Sequence, residues 1–362
     1  MAKLKTLFSI LFKTKKDEIP TLPKIRPEVL LLTDNALNSA KVSDFKISEK
    51  NQWKGWYCNV GQNNLIIENN GNIYASVCKS GGKIGTIQSG FDFLTAPRIC
   101  DRQVCHCADD IKVPKAPDLK SLQQIKKLSP QDYVPAPFPD QIKALAGYEH
   151  FGRNPLLHVN WNLGKKCNFD CSYCPESVHN KTDPYPDMQT MKKVASSIFE
   201  KISESRKVKF TFTGGEPTLI PHYVDFLKWL RASFKGRVDI STNTNGSRNV
   251  AYLSDLLEYS SINFSAHFEF ITIDKVVKKV AGIAQKREEL FARGLRRHLS
   301  IKMMVTPSIL DEVKKLQLAL KEIPQNFEPF KISLEPIVQK ENNYALASFS
   351  DSEKTKIKQM NL

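Results

Sequence analysis

Cys167, Cys171 and Cys174 stand in the run Gly164-Lys165-Lys166-Cys167-Asn168-Phe169-Asp170-Cys171-Ser172-Tyr173-Cys174-Pro175, a Cys-x3-Cys-x2-Cys. Soft thiolates favour iron–sulfur or zinc over hard cations. Four-iron cubanes are normally held by four cysteines. Three thiolates this close hold three corners and leave the fourth iron open to another ligand. Zinc is the competing reading, but no further Cys or His follows the triad until His179, so a simple zinc knuckle is less natural. Five more cysteines, Cys58, Cys78, Cys100, Cys105 and Cys107, lie in the first third of the chain, and none follows Cys174. Two separated groups of thiols predict two metal sites rather than disulfides.

Gly214-Gly215-Glu216-Pro217 comes about forty residues after the triad, at the end of an apolar strand. The triad, the aromatic Tyr173 before its last cysteine and this turn together resemble the radical S-adenosylmethionine enzymes. The resemblance implies a [4Fe-4S] cluster on Cys167, Cys171 and Cys174 whose free iron chelates the amino and carboxylate groups of S-adenosylmethionine. One electron, from an external donor of the flavodoxin or ferredoxin type, then cleaves the sulfonium and releases a 5′-deoxyadenosyl radical that abstracts hydrogen from a substrate. It also implies that Gly214, Gly215, Glu216 and Pro217 contact the cofactor's methionine end, with Glu216 orienting the amino group. Ser241 and Asn243 are expected at the ribose or carboxylate, or as local turn caps. Ser265 and His267 end a strand where such enzymes contact ribose. Tyr173 packs near the adenine or under the cysteine loop, and Glu335 faces substrate or cofactor or ends a solvated strand.

These residues need a scaffold that brings them to one end. Predicted strands at Leu157–Gly164, Lys207–Thr213, Arg237–Thr242, Ser261–His267, His298–Thr306 and Phe330–Pro336 alternate with predicted helices near Met188–Ser203, His222–Phe234, Val250–Tyr259, Ile273–Arg293 and Ser308–Glu322. Such alternation predicts parallel βα units of the α/β class. One face of each strand is apolar and the other polar, carrying Asn160, Asn162, Thr211, Thr213, Asp239, Asn263, Lys302 and Ser333. A closed eight-stranded barrel fills its interior with apolar side chains, so a polar interior fits an open barrel holding a charged ligand. The family resemblance implies a partial (β/α)6 TIM-like barrel over residues 151–362. Its site residues should gather at the C-terminal ends of the strands. The chain ends soon after the sixth strand, with one helical stretch from Asp351, so either it is truncated or the N-terminal module closes the barrel.

Residues 51–110 read as a small cysteine-rich domain. Asn70-Gly71 between apolar runs predicts a β-hairpin that brings Cys58 and Cys78 together. This segment resembles the twitch module, half of the SPASM domain, which implies an auxiliary [4Fe-4S] cluster; zinc is the alternative. Such modules usually follow the barrel rather than precede it. Five thiols leave one spare, and Cys105-His106-Cys107 does not reveal which of Cys105 and Cys107 is a ligand. Residues 111–150 carry prolines at 114, 117, 130, 135, 137 and 139, predicting an extended linker. Residues 1–50 form a basic N-terminal segment, with five lysines before residue 17 around a short apolar core, frayed or lying on a membrane surface.

The chain has 362 residues and a formal net charge of +15. No stretch approaches the roughly 20 apolar residues of a membrane-spanning helix. An oxygen-sensitive cluster points to the cytoplasm. Nine Lys/Arg against two Glu between Lys275 and Lys302 form a solvated helix face or an acidic-partner surface such as one for RNA. The module resemblance suggests a peptide or protein substrate. RNA or a nucleotide is the alternative, and a non-catalytic zinc-binding nucleic-acid adaptor is a reading of another class.

Overall fold

The computed structural model describes residues 27–34, 36–42, 45, 50–105, 107–129, 133, 138–151, 156–174, 179–337 and 349–360. The basic segment before residue 27 and His106 lie outside them. The strands are β1 (Val29–Leu32), β2 (Leu37–Ala40), β3 (Tyr57–Cys58), β4 (Asn64–Ile67), β5 (Asn72–Tyr74), β6 (Lys83–Thr86), β7 (Gly90–Phe91), β8 (Arg98–Ile99), β9 (Lys115–Ala116) and β10 (Ala144–Gly147). Then come β11 (Leu157–Asn162), β12 (Val208–Thr213), β13 (Val238–Thr244), β14 (Ser261–Ala266), β15 (Leu299–Val305) and β16 (Lys331–Pro336). Helices are α1 (Ala108–Lys112), α2 (Leu119–Lys127), α3 (Met188–Glu200), α4 (Tyr223–Ser233), α5 (Val250–Tyr259), α6 (Ile273–Ala292), α7 (Leu310–Lys321) and α8 (Asp351–Met360).

Strands β11 to β16 pair in chain order, every neighbour parallel. Helices α3 to α7 fall one by one between them, as in a TIM-barrel-like sheet. The period-2 pattern explains the layering. Val208, Phe210 and Phe212 are fully buried in the main core with Phe226 and Leu230 of α4, while Lys209, Thr211 and Thr213 are only partly covered. Side-chain caps start two of the sheet's helices: Asp187 accepts from Thr190 N at α3, and Asn249 from Tyr252 N at α5. Each cap satisfies one of the otherwise unpaired amides of a first helical turn.

The hairpin turns at Asn70-Gly71, where Gly71 has φ +81° and Asn70 Oδ1 accepts from Asn72 N. Its first strand, β4, also pairs parallel with β11, so β4 to β7 extend the large sheet to ten strands. A second, six-stranded sheet runs β2-β1-β10-β9-β3-β8. Residues 111–150, expected as an extended linker, carry β9, α2 and β10 instead. Leu122 and Ile125 of α2 bury themselves against Ala116, Ala144 and Ala146, and this local packing outweighs the prolines.

Where the two sheets meet, Glu149, His150 and His158 lie together. Burial pushes His150 down to about 3 and His158 to about 4, so both imidazoles are neutral at physiological pH. The basic stretch of α6 is largely committed to the fold. Arg287 is buried and donates to the carbonyls of Arg297 and Glu328; Lys279 donates to those of Gly246, Ser247 and Arg248; Lys286 and Arg293 pair with Glu258. No helix among the described residues is long and apolar enough to cross a membrane.

Candidate active site

The cysteine loop leaves β11 and is pinned by backbone bonds to two neighbours. Gly215 N donates to Gly164 O (2.8 Å) and Glu216 N to Lys166 O (2.9 Å), while Cys167 N donates to Asn180 O (3.1 Å). The glycines are needed for this approach. A β-carbon on Gly215 would lie 2.1 Å from Lys166 O, and one on Gly214 would lie 2.4 Å from Gly164 O.

The far side of the loop is held by the segment after β14. Ser172 N donates to Glu269 Oε2 (2.8 Å), and Ser172 Oγ bonds the other oxygen of the same carboxylate. Phe169 stacks on Phe270 (4.9 Å between centroids), and Tyr173 stacks on His267 (5.9 Å). Tyr173 Oη lies 2.8 Å from His267 Nδ1, which also lies 3.3 Å from Cys171 Sγ. Burial lowers His267 to about 4, so this imidazole is neutral and has one nitrogen free to accept a hydrogen bond.

A cavity of about 330 Å³ opens at the C-terminal ends of the strands. Cys167, Cys171 and Cys174 all line it, with Asn243, Ser265, His267, Lys302 and Glu335 around the remaining wall. The thiols suit an iron–sulfur cluster. Burial pushes all three up, Cys171 to about 12, so they give up their protons only to a bound cation. Two donors already face the sulfur of Cys167: Phe169 N at 3.4 Å and Asn245 Nδ2 at 3.7 Å.

Several predicted residues take supporting places. Glu216 is 1% exposed and does not line the cavity. Its carboxylate accepts from Thr218 N (3.1 Å), Thr218 Oγ1 (2.5 Å), Thr244 Oγ1 (2.8 Å) and Asn245 N (2.6 Å). Burial raises its pKa, and the four donors oppose that rise. The side chain therefore ties the glycine turn to the end of β13. Pro217 is buried beside it as the first residue of a short 3-10 turn. Ser241 is also buried; its Oγ accepts from Asn263 Nδ2, which donates as well to Asn243 Oδ1. Sequence reasoning placed Asn245 at this end of the strands but gave it no role, and it missed Glu269 and Phe270. They sit just past the ends of β13 and β14, where only the three-dimensional approach of the cysteine loop gives them a role.

Two of the N-terminal thiols, Cys58 and Cys105, feel the charge of the buried Lys115. Lys115 is 1% exposed; Nζ donates to Asp110 O (2.6 Å) and Ile111 O (2.9 Å) and lies 4.6 Å above the Trp53 ring. Burial pushes Cys58 up to about 11, against the pull of Lys115, and Cys78 to about 12. Cys58 feels the charges of Cys100 and Cys78, and Cys105 feels those of Cys78 and Cys58. The charges acting most strongly on Cys107 are Asp110 and Asp109; Cys107 instead starts α1.

Residues 161–306 match the family model described as the Radical SAM superfamily. The radical SAM superfamily domain so marked covers the end of β11, the cysteine loop and β12 to β15. Among curated relatives, the chain is 32% identical to the S-adenosylmethionine-dependent nucleotide dehydratase of Flammeovirga pacifica, over 32% of this chain and 42% of that protein. It is 24% identical to the GTP 3′,8-cyclase of Trichodesmium erythraeum (strain IMS101), over 51% of this chain and 58% of that protein. The alignments thus span less than two thirds of these relatives. Among solved structures, Streptococcus suis SuiB is similar at a TM-score of 0.40 and 15% identity, covering 57% of this chain and 45% of that one.

Proposed function

We propose that this protein is a radical S-adenosylmethionine enzyme that abstracts hydrogen from a nucleotide-class substrate. The carrying observation is that three thiols from one short loop, with polar ends of β13 to β16, line a single cavity. A four-iron cluster on Cys167, Cys171 and Cys174 would supply the electron that splits S-adenosylmethionine bound at its free iron. The chain's own residues do the positioning. Gly214 and Gly215 let the backbone approach closely, Asn245 and the Phe169 amide face the Cys167 sulfur, and Glu269 and His267 hold the loop. Asn243, Ser265 and Glu335 offer polar groups to the cofactor or the substrate.

The substrate class rests on the names of the relatives, a nucleotide dehydratase and a GTP cyclase. They lend nothing to the peptide substrate expected from the N-terminal module. Among the described residues that line the cavity, Lys302 is the one Lys or Arg, placed for an anionic group. Lys302→Ala is expected to raise KM for a phosphate-bearing substrate roughly tenfold, about 1.4 kcal/mol. Steady-state kinetics with nucleoside triphosphates checks this.

The N-terminal thiols Cys58, Cys78, Cys100 and Cys105 fit an auxiliary [4Fe-4S] cluster, with Cys107 the spare. A four-thiolate cluster is anionic, and the buried Lys115, whose charge acts on Cys58 and Cys105, would compensate part of that charge. Lys115→Met is expected to destabilise the fold by about 2–3 kcal/mol, because two carbonyl partners lose their donor. It should also lower the iron retained by these thiols while sparing the triad. Iron counting checks it: about eight irons per chain in the parent, falling towards four.

The defining experiment is anaerobic. Reduced protein given S-adenosylmethionine should be brown and release 5′-deoxyadenosine, faster with the right nucleotide. Colourless protein with stoichiometric zinc and no 5′-deoxyadenosine would support the zinc-adaptor reading instead.

A further inference from the structure

We infer that Glu149, His150 and His158 form a binding site for one divalent transition-metal ion of the zinc class, clipping the two sheets together. One ligand atom from each of these three residues lies within 4.8 Å of the others. His150 and His158 are only 5% and 4% exposed. Yet His150 Nδ1 and His158 Nε2 have no hydrogen-bond partner among the described residues. Buried polar side-chain atoms are normally satisfied, so two orphan nitrogens in one cluster call for a missing partner.

The geometry fits an ion better than a direct bond. His158 Nε2 lies 3.6 Å from Glu149 Oε1, too far for a hydrogen bond. Two ligands bound at about 2.0–2.1 Å to one tetrahedral ion stand about 3.4 Å apart. The burial that keeps both imidazoles uncharged leaves their lone pairs available. Two imidazoles and one carboxylate suit zinc and its neighbours rather than magnesium or calcium. Charges of both signs surround the cluster: Lys112 Nζ sits 3.5 Å from Glu149 Oε1, Lys112 and Lys115 act on His150, and Lys209 and Asp109 act on His158. Lys112 thus pairs with the same carboxylate oxygen that faces His158 and is placed to orient it, as outer partners of metal ligands do. Gly147 is part of the cradle, since a β-carbon there would lie 2.7 Å from Lys112 Cβ and 3.2 Å from His150 Cδ2.

The position sets the role. His150 follows β10 in the six-stranded sheet, and His158 is the second residue of β11 in the large one. The cysteine loop leaves the opposite end of β11, so the ion would brace the fold away from the chemistry.

The test uses the full chain with its iron–sulfur clusters reconstituted, then stripped of loosely bound metal and titrated with zinc. The expected result is one zinc per chain, bound at least tenfold more weakly by Glu149→Gln and by His158→Gln, with iron content unchanged. Zinc should raise the melting temperature of the parent and not of either variant. Absence of zinc binding in the parent, or equal binding by both variants, overturns the proposal. If the variants do not fold, cobalt(II) added to the parent decides. Visible d–d absorption without thiolate-to-cobalt charge transfer supports the site; charge transfer, or no new band, overturns it.

Discussion

Replacing any one of Cys167, Cys171 and Cys174 by alanine is expected to abolish reductive cleavage of S-adenosylmethionine, a loss on the order of 10³ or more. In the proposed function each thiol would hold one corner of the same cluster, so the three would act as a unit and single losses would not be graded. They also lie on eight residues of one loop, anchored at Cys167 N, Gly215 N, Ser172 and Phe169. The fold does not depend on them: the main core packs Phe210, Phe212, Phe226 and Phe264 beneath the site. The variants should therefore remain folded by circular dichroism while iron content drops and 5′-deoxyadenosine falls to background. Retained cleavage in a folded variant would remove that thiol from the cluster.

Gly215→Ala should be nearly as damaging by a purely steric route. The added methyl meets three backbone atoms: Lys166 O at 2.1 Å, Lys166 C at 2.5 Å and Lys165 O at 2.6 Å. Neither carbonyl can give way cheaply. Lys166 O accepts from Glu216 N, and Lys165 O accepts from Asn180 N. Either the cysteine loop lifts off the end of β12 or those bonds break. The cost expected is about 3 kcal/mol, at the upper end for overpacking. Because the strain falls at the loop, iron retention should fall more than the melting temperature suggests. Gly236→Ala is a fitting control: a β-carbon there meets nothing within 4 Å, though its φ of +71° still carries local strain.

The parallel units were legible because their signals are local. Period-2 runs placed β11 to β16 to within about two residues, and Val250–Tyr259 is the helix the periodicity predicts. The cavity wall followed from chain order: Asn243, Ser265, His267, Lys302 and Glu335 are all strand-end or inward positions. Pairings between distant segments were not legible. Nothing local in Asn64–Ile67 says that it lies beside β11, and nothing in Lys115 says that it is buried under Trp53 and bonded to the carbonyls of Asp110 and Ile111. Glu216 shows the same limit from another direction. Its sequence position suggests a ligand contact, but its four donors come from Thr218, Thr244 and Asn245, two of them on a different strand end.

An open corner on a three-thiolate cluster should be visible by electron paramagnetic resonance of the anaerobically reduced protein, in a variant lacking Cys58 and Cys78, before and after S-adenosylmethionine is added. The expected result is a reduced four-iron signal whose g-values shift on addition. A cluster signal indifferent to S-adenosylmethionine, or no cluster signal at all in the folded protein, would contradict it.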